Sequence, residues 1–335
     1  MSQPNDFSSL QEDLRAAMSV ELTTMPPYLY TYWSIRPLED GDSQAGVQAA
    51  RTIMSVALEE MLHMGLVANI LNALGGRATI TDPLYVPSYP GQLLRHSTGK
   101  YGVEVGLLPL SSTAIDTFLK IELPESDVPD PPSSGWATIG QFYESVESKI
   151  TDYAGPFNHG RQLPEFDNPG AGRLIPVESQ CDAIRALKLI VDQGEGTSSE
   201  THDDGNHELA HYWKFMEIKT AIENGSLHLT QDVYPVISNP ADIVYSPDQQ
   251  AANKQFNLVY SELLDSLQTT LTSEQPGVFP KYPLFDSHLE QQKTATTYMD
   301  ELGQLAGVLR HNYGYVPWTE FLPGPTFEYI PATAR

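Results

Sequence analysis

Two short strings carry the chemistry of this chain: Glu60-Met-Leu-His63 and Glu208-Leu-Ala-His211. Each is Glu-x-x-His. Residues three apart share one face of a helix, so each string aims a carboxylate and an imidazole at one spot. Two such helices, with one more glutamate from each of two others, can hold a pair of iron or manganese ions inside a four-helix bundle. One such string is common by chance. Two, on apolar helices with partner glutamates, define a candidate metal centre.

The elements that must position these groups follow from periodicity. A first helix is expected from about Ser9 to Ser34, with Ser9-Leu-Gln-Glu12 as a capping-box start. Leu14, Met18, Glu21, Met25 and Tyr28 share its apolar stripe, which turns Glu21 inward. Pro26-Pro27 should kink that helix and free the carbonyls of Leu22 and Thr23 near Glu21. A second helix is expected from about Ser43 to Leu74, stopped by Gly75-Gly76. Ile53, Ala57, Glu60, Met64, Val67 and Leu71 make one of its stripes, and His63 lies on the adjoining one. Glu59 falls off this line and reads as solvated.

Residues 77–178 read as a long proline-rich crossover, with short helices at about Ser112–Glu122 and Thr138–Ile150. A stretch this long needs a role, such as covering a site. A third long helix is expected from about Ser179 to Glu195, and a fourth from about Asn206 to Ile222. Two amphipathic helices follow, one opening at Ser246-Pro247 and one near Asp286, before an extended tail.

Residues equally far from a hairpin turn lie at the same height. Glu21 and Glu60 straddle the first turn evenly, and Glu195 and Glu208 straddle the polar loop before the fourth helix. Short hairpin, long crossover, short hairpin is the connectivity of a ferritin-like bundle. The expected ligand set is therefore Glu21, Glu60, His63, Glu195, Glu208 and His211. Glu144, at the edge of the Ile139–Phe142–Val146 face, competes for the third-helix role and reads as exposed. Glu122 ends a short helix before Pro124 and reads as structural. Carboxylate and imidazole ligands without thiolate suit two Fe ions, and Mn or Zn are tolerated. Without metal, so many buried carboxylates would take up protons instead.

The composition bounds the rest. The chain has 335 residues and a net charge of −24, from 19 Lys+Arg against 43 Asp+Glu. That balance argues against nucleic acid and anionic membrane as partners. No apolar run reaches the roughly 18 residues of a membrane helix, and the N-terminus lacks a secretory pattern. Cys181 stands alone, so neither an intrachain disulfide nor a thiolate cluster is expected. A cytoplasmic protein is the simplest expectation. The expected organisation is an all-α chain, with residues 1–225 forming the bundle and residues 226–335 a helical extension packed on it.

At these residues the chain resembles the ferritin-like domain family related to iminophenyl-pyruvate dimer synthases of bisindole pigment biosynthesis. The resemblance is carried by Glu21-Leu-Thr-Thr-Met-Pro-Pro-Tyr-Leu, Glu59-Glu-Met-Leu-His-Met-Gly-Leu-Val-Ala-Asn and Phe118-Leu-Lys-Ile-Glu-Leu-Pro-Glu. It continues through Gln193-Gly-Glu-Gly-Thr, Glu208-Leu-Ala-His-Tyr, Asn253-Lys-Gln-Phe-Asn-Leu-Val-Tyr and Gly324-Pro-Thr-Phe-Glu, and so spans nearly the whole chain. It implies a ferritin-like bundle with a metal site. The full-length pigment synthases are larger and associated with haem, and the likeness is to their ferritin-like part.

The expected function is a non-haem diiron oxidoreductase that uses dioxygen to oxidise a small organic, amino-acid-derived or secondary-metabolite substrate. Two other readings stand beside it. One is a ferroxidase or peroxide-reducing protein with no organic substrate. The other is a non-catalytic, metal-stabilised partner of a biosynthetic enzyme. A homo-oligomer is compatible with each.

Overall fold

The computed structural model describes residues 4–37, 44–93, 103–125, 136–158, 160–168, 172–194, 209–272 and 295–335. Among them the fold is all-α, with eight helices and two small two-stranded antiparallel sheets. In chain order the elements are α1 (Pro4–Ser34), α2 (Gln44–Ala73), β1 (Gly91–Gln92), β2 (Glu104–Val105), α3 (Ser112–Ile121) and α4 (Ile139–Thr151). They continue with β3 (Phe166–Asn168), β4 (Gly172–Leu174), α5 (Gln180–Gly194), α6 (His211–Glu223), α7 (Pro247–Thr272) and α8 (Ala295–Asn312).

The long α1–α2 pair is the spine of the molecule. Helix α4 packs beside α1 and α5 beside α2, while α3 pairs with α6, which also lies against α2. This is why α2 is apolar nearly all round: Leu66, Val67, Ile70 and Leu71 are all fully buried. Each such side chain contributes about 1.5–3 kcal/mol when buried. By length and composition α2 could even cross a membrane, contrary to the expectation from the sequence, yet 78 % of its apolar window is buried inside the fold. That is the burial of a core helix. Gly75, at φ 70°, ends α2 in the left-handed conformation that a side chain would strain.

Two local expectations are corrected. Ser9 does not cap α1, because the helix continues back to Pro4; its hydroxyl instead accepts a bond from Lys149 Nζ of α4 at 2.7 Å. Helix α6 begins at His211 rather than near Asn206, with Ala210 extended at its N-cap. The helical run thus does not extend back through Leu209 and Ala210. The start expected for the last helix near Asp286 lies outside the described residues, which resume with α8.

The crossover does more than cover. Asn69 of α2 donates to the carbonyls of Leu163 and Ile175 at 3.0 and 2.9 Å and accepts from Leu163 N at 2.6 Å. One buried amide therefore clamps the crossover to the spine. The proline pair behaves as its chemistry dictates: α1 runs through Pro26-Pro27, and the freed carbonyl of Thr23 accepts the Tyr89 hydroxyl at 2.9 Å. Helices α7 and α8 share the same apolar core through Phe256, Leu264, Leu302 and Ala306.

Candidate metal centre

The site is built where α1, α2 and α6 face one another, closed by the end of α3. Glu21 comes from the α1 stripe, Glu60 and His63 from one face of α2, and His211 from the first turn of α6. All four are at most 3 % exposed. Glu21, Glu60 and His63 bring one ligand atom each within 4.8 Å of one another, and Glu60, Glu122 and His211 do the same. Glu60 belongs to both groups, so the two positions share a carboxylate. The imidazole rings of His63 and His211 lie 5.6 Å apart.

Each of these groups is held from behind. Tyr143 of α4 donates its hydroxyl to Glu21 Oε1, Thr24 donates to Glu60 Oε2 at 2.8 Å, and Tyr28 donates to Glu122 Oε1 at 2.6 Å. His63 turns Nδ1 toward Glu21 Oε2 at 3.5 Å and Nε2 toward Gln193 Oε1 at 2.9 Å. His211 turns Nε2 to Glu59 Oε2 at 2.6 Å, and Lys214 Nζ sits on the same carboxylate at 2.7 and 2.9 Å. His211 Nδ1 points into the cluster, 3.1 Å from Glu60 Oε1 and 3.5 Å from Glu122 Oε2. It is buried and meets no hydrogen-bond geometry with either. A buried nitrogen left without a partner beside carboxylates is what a metal position requires.

The charge state says the same. Burial pushes the Glu21 carboxyl up from 4.5 to about 7, although hydrogen bonds from Glu60 and Tyr143 oppose the rise. Burial and the neighbouring Glu21 charge also push Glu60 up. Burial holds His63 below the ordinary histidine value, outweighing Glu60. Burial also penalises charged His211, but Glu122, Glu59 and Glu60 outweigh it and hold its pKa well above the ordinary value. Without metal the cluster thus keeps protons that divalent cations would displace. Glu59 differs: burial opposes its charge, but His211 and Lys214 prevail and hold it at about 2.

Two sequence readings are corrected here. Glu59 is not solvated; it is 1 % exposed, because α2 is covered by α6 as well as α1. His211 and Lys214, three apart on α6, were the readable hint of its partner. Glu122 is not merely structural; its carboxylate completes the second group. The Ile115–Phe118–Leu119 stripe of α3 extends to position 122, the same signal that marked Glu21. Gly194 makes room for it, since a Cβ there would lie 3.3 Å from Glu122 Oε2. The described part of α5 contributes Gln193, while α3 leads to Glu122 and α4 carries Tyr143. Glu144 is exposed, as expected. Glu195 and Glu208 lie outside the described residues.

A cavity of about 20 Å³ opens on the cluster, with Ile139, Ile190 and Val191 as its apolar wall. That is room for roughly one water-sized molecule.

The fold and the cluster define a class before any comparison does: a helical bundle with a buried carboxylate–histidine centre. The family model for Ferritin-like proteins matches residues 14–220, and the chain belongs to that family. Among solved structures, a ferritin-like protein from Caulobacter vibrioides superposes with a TM-score of 0.63 at 22 % identity, covering 96 % of this chain and 98 % of that one. Two curated relatives are similar in sequence. One is the 2-imino-3-(indol-3-yl)propanoate dimerase of Chromobacterium violaceum, 26 % identical over 70 % of this chain and 25 % of the relative. The other is the dichlorochromopyrrolate synthase of Lentzea aerocolonigenes, 24 % identical over 77 % of this chain and 30 % of the relative. The chain therefore spans between a quarter and a third of the length of these relatives.

Proposed function

We propose that the protein is a dinuclear non-haem metal oxidoreductase that uses dioxygen to oxidise a small, amino-acid-derived substrate. The observation that carries this reading is the pair of buried three-ligand groups sharing Glu60. The donor set, carboxylate and imidazole without thiolate, favours iron or manganese over softer choices. Bound iron would supply the redox chemistry with dioxygen. The ligands are Glu21, Glu60, Glu122, His63 and His211, with Glu195 and Glu208 proposed from the sequence to complete the set.

The chain's own residues do the rest. Tyr143, Thr24 and Tyr28 each occupy one carboxylate oxygen and so fix the rotamers of Glu21, Glu60 and Glu122. Glu59 and Gln193 hold the Nε2 protons of the two histidines, which leaves both Nδ1 atoms for the metal side. The apolar wall of Ile139, Ile190 and Val191 keeps bulk water from the cluster. The substrate class rests on the two curated relatives, one named for an imino-indolyl-propanoate and the other for a chlorinated chromopyrrolate.

The test is dioxygen uptake by the anaerobically iron-loaded protein, with and without imines of aromatic amino acids. The proposal expects uptake coupled to loss of the imine. Uptake that follows added ferrous iron alone and ignores every organic addition would favour a ferroxidase. The water-sized cavity is the observation behind that second reading.

A further inference from the structure

We infer that the two candidate positions are unequal: the one at Glu60, Glu122 and His211 is the tightly held position, and the one at Glu21, Glu60 and His63 is the exchangeable position. This rests on the metal-centre reading above.

The two histidines are equivalent in kind but not in what stands behind them. His63 Nε2 meets a neutral amide, Gln193 Oε1, at 2.9 Å. His211 Nε2 meets a carboxylate, Glu59 Oε2, at 2.6 Å. A hydrogen bond to an ionised acceptor is roughly twice as strong as one to a neutral acceptor. It also makes the imidazole a better donor to metal at its other nitrogen. Lys214 secures the arrangement. Its ammonium holds Glu59 at 2.7 and 2.9 Å, so the carboxylate stays charged and in place although 1 % exposed.

The cavity adds one difference between the histidines. His63 lines it together with Glu21, Glu60 and Glu122, whereas His211 does not. Both imidazoles are buried. Glu59 and Gln193 are positioning residues in this account: they act through the histidines and touch no metal.

The experiment uses Co(II) as probe under anaerobic conditions, with binding read by its absorption spectrum and by equilibrium competition with a chelator. His63→Ala isolates the His211 position, and His211→Ala isolates the His63 position. In the His63→Ala protein, adding Glu59→Gln is expected to weaken Co(II) binding about 10- to 100-fold, whereas in the His211→Ala protein it changes affinity less than about twofold. Gln193→Glu should strengthen binding only in the His211→Ala protein. Because Glu59→Gln strands a buried ammonium, the double change Glu59→Gln/Lys214→Met is made in parallel, with helical content checked by circular dichroism, and the same pattern is expected. Equal effects in the two backgrounds, or none in either, overturn the inference while leaving a metal centre standing. If the unaltered protein takes up no Co(II) at all, the metal-centre reading fails, and this inference fails with it.

Discussion

Glu21 offers the sharpest quantitative test, because metal-free protein should dislike its charge. Burial raises its carboxyl from 4.5 to about 7 in the folded state. A raised folded pKa means that the folded protein holds the proton more tightly than the unfolded chain does. The stability contributed by that proton is complete below pH 4.5 and is lost as pH climbs through about 7. Integrated between pH 5 and pH 8, the loss is on the order of 2 to 3 kcal/mol. Glu21→Gln keeps the shape and an acceptor for Tyr143 but cannot ionise. In the presence of chelator it should match the parent at pH 5 and exceed it at pH 8. At about 2.1 cal/mol/K of unfolding entropy per residue, that margin corresponds to about 4 °C in Tm for a chain of this length. The comparison between variant and parent cancels the titrating groups far from the cluster, whereas Glu60, which the Glu21 charge pushes up, shifts with the substitution. Added divalent metal should reverse the order, because the ionised carboxylate then becomes a ligand. A Tm difference that does not change between pH 5 and pH 8 would refute the claim that Glu21 is a buried carboxyl that keeps its proton in the metal-free state.

Three further outcomes follow from the geometry. Glu122→Gln should weaken metal binding about tenfold or more, whereas Glu144→Gln, on an exposed face, should leave it unchanged; inductively coupled plasma analysis after limited loading separates them. Glu195→Gln, proposed from hairpin height alone, should weaken binding as well, and unchanged metal content would remove that residue from the set. Asn69→Leu should destabilise the fold by about 3 kcal/mol, because three buried hydrogen bonds vanish and backbone groups of Leu163 and Ile175 lose their partner; denaturant unfolding reads this directly.

Much of this arrangement was legible in the sequence. The stripes of α1 and α2 set Glu21, Glu60 and His63 inward, and the structure brings all three together because a period of 3.6 leaves each stripe only one face. The short helices at 112–121 and 139–151 were likewise readable from their apolar spacing. The rest was hidden for physical reasons. Glu59 was misread because a one-face criterion fails on a helix buried on several sides. Glu122 was misread because it sits at a helix end just before Pro124, although the apolar stripe of α3 runs up to it. His211 is in the cluster, but the helical spacing used to pair it with Glu208 does not hold through Leu209 and Ala210, since α6 begins at His211. Loop-centred symmetry, which served for Glu21 and Glu60, carries no such guarantee when the following helix starts late.

The central claim is that this buried cluster is a dinuclear metal centre, and metal stoichiometry tests it most directly. Protein stripped with chelator, then titrated anaerobically with ferrous iron and desalted, should retain two ions per chain. His63→Ala and His211→Ala should each retain about one while keeping the helical circular dichroism of the parent, because ligation and not core packing is lost. A parent protein that saturates at one ion or none, or histidine variants that retain as much metal as the parent, would contradict the account.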